Sequence, residues 1–427
     1  MKISVSKLHR IIVYFMIFYV FNKNLFDLVT FGLAKTVYYT IVFIGTALCM
    51  IKLALNSKYR KIVISFVLYV TVIIVNGLLY ADAEHMSVGM IEYITYPLAF
   101  FALLYYFKAV NNYYKLFLRV IYWSGITSVL AVIEYLTKRS LLTQTASSMY
   151  TYYDGVSSFR AVVFVGSPMM LGILLAVSLI VAVYFVNVYK KKNIYKIIML
   201  DLVGLMATGS RGPLLFCIIG ISVMYIYFFK QKIVGKNTFI RISFLIIILF
   251  LFVMILIIKP DFSVGIPAID TLISRFSSVF NTKEYGNAER LTLWSYYLNK
   301  FSKKPIMGYG IATTSALIST NAYATYNNVV TESGVIARLV ETGIMGTLTY
   351  YGFIFVVLKS SIQGSLKKKY KGTYRNTAIF VVGVVVLILL EDIILQISLD
   401  LFCTFALWLI LAFSLSMRMK NERMVIR

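Results

Sequence analysis

The chain is short of the side chains on which most soluble enzymes rely. Histidine occurs only at His9 and His85, too few imidazoles for a zinc site. The three cysteines, Cys49, Cys217 and Cys403, each fall inside a long apolar run. That placement argues against a disulfide framework or a thiolate metal site. Only 14% of the 427 residues are charged, and just 17 of them are Asp or Glu. There is no Walker A loop and no dinucleotide-binding glycine pattern. Internal repeats, low-complexity tracts and a soluble domain are missing too.

In their place the chain has apolar length. Hydrophobic residues make up 60% of it, and mean hydropathy is +0.83. Continuous runs of about 18–25 apolar residues mark transmembrane helices, and their lack of alternation excludes barrel strands. The expected fold is all-α and polytopic, a single membrane domain over residues 1–427. About 12 spans are expected, at 8–29, 33–55, 61–80, 88–107, 116–137, 161–187, 197–208, 212–229, 242–258, 341–358, 376–397 and 400–417. The first and seventh are short or irregular. Lys2, Lys7 and Arg10 precede the first run with no small-residue cleavage site after it, which reads as a retained signal anchor.

The net charge of +25 reports orientation rather than nucleic-acid binding. With the N-terminus cytoplasmic, the inner segments hold 28 of the 42 Lys and Arg and one acid, Glu422. No loop violates the positive-inside rule. The lysine clusters 190–192 and 367–369 then set topology and meet anionic lipid. Both termini are expected in the cytoplasm. The 138–160 loop, the 209–213 break and a loop of about 80 residues at 259–340, far beyond an ordinary connection, are expected outside.

Those outer segments carry the candidate chemistry. In ATGSRGPLLF, Gly209, Gly212 and Pro213 end one helix and begin the next. Ser210 is an expected N-cap, and Arg211 adds a guanidinium to the positive end of the new helix, a setting suited to phosphate. Arg160 leads into the sixth span, which Gly166 and Pro168 should make irregular. In the long loop, which also holds Arg275, the run NAERLTLWSYYLNKF has helical spacing. Asn287 is its expected N-cap, with Arg290 in the first turn. Trp294 and Tyr297 are positioned to line a sugar or to sit in an interfacial belt. Lys303-Lys304-Pro305 should end this helix before a tight Gly308-Tyr309-Gly310 turn. Glu332 and Glu341 flank Arg338 in the last part of the loop. Glu391 and Asp392 lie together in the eleventh span, where intramembrane acids point to function or to a buried arginine partner; here the arginine partner is the favoured reading. Asp400, Glu92 and Glu134 lie on the same outer side.

In this order the segments resemble the O-antigen ligase/polymerase superfamily of bacterial membrane proteins. Arg160 to Pro168 is similar to its Arg-x-x-Gly-x-x-x-x-Pro approach to a span, with Val163 where glycine is usual. Thr208 to Gly212 matches T-x-S-R-G. Arg290 to Trp294 followed by Pro305, Gly308 and Gly310 matches R-x-x-x-W and P-x-x-G-x-G. Glu332 to Gly346 matches the closing motif, H/D-N-x-x-L-x-x-L-x-E-x-G-x-x-G. Glutamate at 332 with Arg338 resembles the repeat-unit polymerases, since ligases usually place histidine at 332.

The resemblance implies a metal-independent, cofactor-free glycosyltransferase in the plasma (inner) membrane, acting on the extracytoplasmic side. It would polymerise undecaprenyl-diphosphate-linked repeat units into O-antigen, capsule or exopolysaccharide. Arg211, Arg290 and Glu332 are the catalytic candidates. Arg160, Ser210, Arg275, Trp294, Tyr297 and Arg338 are the substrate-binding candidates. Its partners would be the lipid-linked glycan donor and acceptor, the bilayer and a chain-length regulator, and not nucleic acid. Transfer to another acceptor, as in a ligase, is one alternative. A flippase or secondary transporter for lipid-linked oligosaccharide is another. The lack of repeated halves and of a basic motif between spans two and three, and the long loop's place after span nine, weigh against a transporter; the arginines' outer position weighs against a flippase.

Overall fold

The computed structural model describes residues 5–108, 113–142, 150–153, 156–230, 232–237, 240, 244, 285–315, 331–363, 373–396 and 399–426. The expected span at 242–258 and Arg275 lie outside these residues, apart from Phe244.

The chain is an all-helical polytopic membrane protein. Beside its helices the described residues form one antiparallel hairpin, β1 (Tyr150–Tyr153) and β2 (Val156–Phe159). The helices are α1 (Val5–Phe21), α2 (Lys23–Thr30), α3 (Leu33–Ala54), α4 (Arg60–Tyr80), α5 (Ala83–Gly89), α6 (Tyr96–Phe107), α7 (Tyr113–Thr137), α8 (Pro168–Tyr189), α9 (Ile194–Ala207), α10 (Arg211–Lys230), α11 (Tyr285–Lys303), α12 (Gly334–Ile362), α13 (Thr373–Ile394) and α14 (Leu401–Ile426). A π-helical segment, Met90–Thr95, joins α5 to α6. Among the described residues eight helical spans are long and apolar enough to cross a membrane, with α5, the π segment and α6 forming one of them. A ninth results if α1 and α2 form one span.

The first and seventh runs are short or irregular as the sequence leads one to expect, and the start of the sixth differs from that expectation. The first run is broken: α1 and α2 meet at 100°, with Phe31 and Gly32 in left-handed conformations closing the second piece. The seventh run is the 14-residue α9, about 21 Å at 1.5 Å per residue and too short for a full crossing. The sixth span opens at Pro168 instead of being bent by it. Proline lacks an amide hydrogen and fits the first turn, where that hydrogen has no helical partner. Residues 160–167 are therefore a non-helical approach to α8.

α14 is the central post. It is apolar on every side, and 94% of its span window is buried, as expected for a helix surrounded by others. Trp408 packs among Phe100, Tyr350 and Phe353. Around this post α6 packs on α3, α4 on α12, α10 on α13, and α9 on α7 and α8. Asp201 in α9 joins its neighbours by accepting from Ser124 and Ser128 of α7, both at 2.8 Å. These contacts fix where α10, α12 and α13 end, and the candidate site is built at those ends.

Candidate active site

The α9–α10 break is a set of turns held by one arginine. Gly209 has φ +58°, a conformation glycine adopts without a Cβ clash. Arg160 is buried; its Nε donates to the Thr208 carbonyl and its Nη2 to Ser210 Oγ, both at 2.9 Å. The Ser210 hydroxyl in turn donates to the Pro168 carbonyl at 2.9 Å. Ser210 thus ties the start of α10 to the start of α8. Arg160 reinforces that tie, and Arg211 follows as the first residue of α10, half-buried.

The approach segment depends on Glu134. Its Oε2 accepts from the Val162 and Val163 amides at 2.9 and 2.8 Å, and its Oε1 from the Leu141 amide at 2.8 Å. Val163 has φ +46°, unusual for a β-branched residue. This is the position where the resembled family usually carries glycine. The carboxylate offsets the strain by gathering two successive amides.

α11 begins at Tyr285, so Asn287 is not its N-cap and Arg290 lies in the second turn. The helix ends at Lys303, ahead of Pro305. Arg290 donates from Nε and Nη2 to Glu332 Oε2, each at 2.8 Å. Glu332 has φ +51° and is followed by Ser333, whose hydroxyl caps α12 by accepting from the Ile336 amide at 3.3 Å. Strained backbone at a charged residue is a mark of functional sites. Trp294 Nε1 donates to the Thr331 carbonyl at 3.1 Å, fixing the same turn.

Two expected substrate contacts lie elsewhere. Tyr297 is fully buried with Leu293, Ile336 and Val340 between α11 and α12. Burial pushes its phenol up to about 12. It is a packing residue there, because α11 turns that face onto α12. Arg338 is also fully buried, with its guanidinium 3.4 Å from the Tyr350 ring centre and 4.8 Å from that of Tyr93. This aromatic setting stabilises a buried cation and sets it apart from the Arg290–Glu332 pair.

Sequence reasoning did not foresee the part played by Glu341. Its Oε2 accepts from the Ala312 amide and the Tyr93 hydroxyl, both at 2.7 Å, and its Oε1 from the Thr314 amide at 2.7 Å and the Thr314 hydroxyl at 2.5 Å. It pins the loop after α11 against α12. Asn76 of α4 adds donations to the Met307 and Glu341 carbonyls. Gly308 and Gly343 let the two backbones touch: a Cβ on Gly343 would lie 2.2 Å from the Ile306 carbonyl oxygen, and one on Gly308 2.5 Å from that of Val340. The outer position of Glu341 was legible, but its partners are distant in sequence.

Of the expected arginine partners for the span-eleven acids, Arg290 lies within electrostatic reach of Glu391 but makes no hydrogen bond to it among the described residues. Asp392 accepts from Tyr351 at 2.5 Å. Glu391 is fully buried, with neither carboxyl oxygen hydrogen-bonded. Instead it lies against Gly212, where a Cβ would fall 3.0 and 3.1 Å from its two oxygens. At the end of the same region, the Leu395 carbonyl accepts from the Gly334 amide at 3.0 Å. A continuous path of contacts therefore runs from Arg160 through Ser210, Arg211 and Gly212 to α13, then to the start of α12, Glu332 and Arg290. Four of the expected residues, Arg211, Arg290, Glu332 and Arg160, belong to this region, and Trp294 and Ser210 brace it. With the half-buried Arg211 at the amide end of α10 and the half-buried Arg290 within electrostatic reach of Glu391, the region suits an anionic ligand. Among the described residues no group of His, Cys, Asp and Glu side chains could hold a metal ion.

No curated protein matches the chain. Residues 196–351, from α9 to the middle of α12, match the family model described as O-antigen ligase. Over that stretch, more than a third of the chain but less than half, the protein is similar to the O-antigen ligase family.

Proposed function

We propose that the chain is a membrane glycosyltransferase that polymerises oligosaccharide repeat units carried on undecaprenyl diphosphate, working on the extracytoplasmic side. The observation that carries this reading is the Arg290–Glu332 pair at the path's end that also holds Arg211 and the α10 N-terminus. Breaking the anomeric C–O bond leaves a lipid diphosphate whose charge grows in the transition state, and preorganised donors at that place lower the barrier. Arg211, Arg290 and the α10 amides supply such donors. The attacking sugar hydroxyl needs a base, and Glu332 is the candidate. Arg290 then stands between two anions. A bound diphosphate competes for its guanidinium and frees Glu332 as the donor arrives. Direct attack would invert the anomeric configuration. A chain-length regulator is a partner candidate of the same reading.

The O-antigen ligase description of the matched region supports a second reading, single transfer of the glycan to a different acceptor. Purified protein in nanodiscs, given only a lipid-linked repeat unit, separates the two. A ladder of multiples supports the polymerase. Product that forms only when a second acceptor is added, and stops at one transfer, refutes it in favour of the ligase.

A further inference from the structure

Glu391 is a buried carboxyl with no local reason to be polar. It is 0% exposed on α13, and neither Oε1 nor Oε2 has a hydrogen-bond partner among the described residues. Its neighbour Asp392 shows the structural alternative, being engaged by the Tyr351 hydroxyl. A buried polar group left without a partner costs several kcal/mol, and an ionised one far more. An apolar side chain of similar volume would generally be more stable at such a place.

Its surroundings explain what it faces. Both oxygens lie against Gly212, the second residue of α10, with Ile394 of its own helix packed on the same glycine. Here the helix presents the amides of Arg211 and Gly212, Pro213 having none and that of Ser210 donating to Thr208 Oγ1, together with the positive end of its dipole. Arg290 lies within electrostatic reach. The absence of a Cβ at 212 is what allows the carboxyl to approach the helix end. An anion seated on those amides would meet Glu391 from the other side. A charged carboxylate would repel it, whereas a neutral carboxyl would offer it an O–H.

We propose that Glu391 is a further substrate-contacting residue, an uncharged carboxyl whose O–H donates a hydrogen bond to a diphosphate oxygen held at the α10 N-terminus. This rests on the proposed transfer from a lipid diphosphate. The role differs from that of the arginines: it adds a short, charge-assisted donor without adding net charge.

The test uses full-length protein in nanodiscs with undecaprenyl diphosphate as the probe. Glu391→Gln keeps an N–H donor and should bind within about threefold of the unchanged protein. Glu391→Leu should bind ~10–100-fold more weakly, the equivalent of losing one hydrogen bond to a charged group. Infrared difference spectra should show the carbonyl stretch of a protonated carboxylic acid that moves when the probe binds and is missing in Glu391→Gln. Leu binding as tightly as the unchanged protein, or Gln binding as weakly as Leu, would overturn the role. So would the lack of that infrared band, which tests the proposal even if the Leu variant does not fold. Failure of the unchanged protein to bind the probe would instead count against the transferase reading itself.

Discussion

Arg290 holds one oxygen of Glu332 with two nitrogens, Nε and Nη2, each 2.8 Å from Oε2, while Oε1 makes no hydrogen bond among the described residues. The pair is partly exposed, 26% for Arg290 and 41% for Glu332. An exposed ion pair is worth about 0–1 kcal/mol, so its value to the fold is small. Glu332→Gln should therefore insert and fold normally. Its turnover should drop by roughly 10²–10⁴-fold, the range for loss of a general base. In a double-mutant cycle with Arg290→Gln the two losses should be non-additive, because the two side chains contact each other directly. Near-normal turnover by folded Glu332→Gln would remove the base assignment.

Glu341 gives the opposite expectation. Its carboxylate accepts four hydrogen bonds from Tyr93, Ala312 and Thr314 in a fully buried setting, which leaves it little capacity to take a proton from substrate. Glu341→Gln turns one acceptor oxygen into a donor facing other donors. Mis-satisfying buried groups costs about 1–3 kcal/mol. We expect a lower unfolding temperature in detergent, with activity per folded molecule largely kept. A normal melting curve combined with lost turnover would instead make Glu341 a candidate base.

The two glutamates also show what the sequence made legible. Long continuous apolar runs located most of the described helices, since span length is a local property. The helix ends at Lys303-Lys304-Pro305 and Gly209 followed from local effects, whereas Pro168, expected to bend a span already under way, opens α8 instead. The partners were not legible. Glu332 could have paired with Arg338, six residues on, yet it pairs with Arg290, because its left-handed backbone turns it toward α11 while α12 buries Arg338. Tyr297 fits an interfacial belt by spacing, but it belongs to the α11–α12 contact. The meeting of Gly212 with Glu391 depends on the packing of α10 on α13, which no local pattern encodes.

Gly343 tests that packing. It interrupts α12 with φ +63° and ψ −167°, a region almost reserved for glycine, and a Cβ there would lie 2.2 Å from the backbone oxygen of Ile306. The obstruction is main chain and cannot swing aside. Gly343→Ala should cost at least about 3 kcal/mol, strain and overpacking acting together, and yield little folded protein. Wild-type yield and melting temperature for Gly343→Ala would show that α12 and the 305–310 loop do not meet this closely.

Orientation can be checked with single cysteines. The native Cys49, Cys217 and Cys403 are all buried, so background labelling should be low. Lys191 and Lys303 are exposed. A membrane-impermeant maleimide applied to intact cells should label Lys303→Cys and spare Lys191→Cys until the cells are opened. The reverse pattern would place the arginines on the nucleotide-containing side and end the lipid-diphosphate reading.

Arg160 and Arg211 are two residues of one region that should fail in different ways. Arg160 is buried, and its guanidinium donates to the Thr208 carbonyl and the Ser210 hydroxyl; it holds the break together. Arg211 is half-buried at the first position of α10, where a bound phosphate would face both its guanidinium and the helix amides. Arg160→Ala should therefore lower the melting temperature and activity together, by about 1–3 kcal/mol for the acceptors it leaves unmet. Arg211→Ala should insert and melt normally yet make no long-chain polymer. Arg211→Lys should recover little, because an ammonium cannot reproduce the two-pronged contact with phosphate. Arg290 should behave like Arg211 in both substitutions. The readouts are melting in detergent and polymer length on gels from cells carrying each variant. Full-length polymer from both Arg211→Ala and Arg290→Ala would exclude them from contact with the diphosphate.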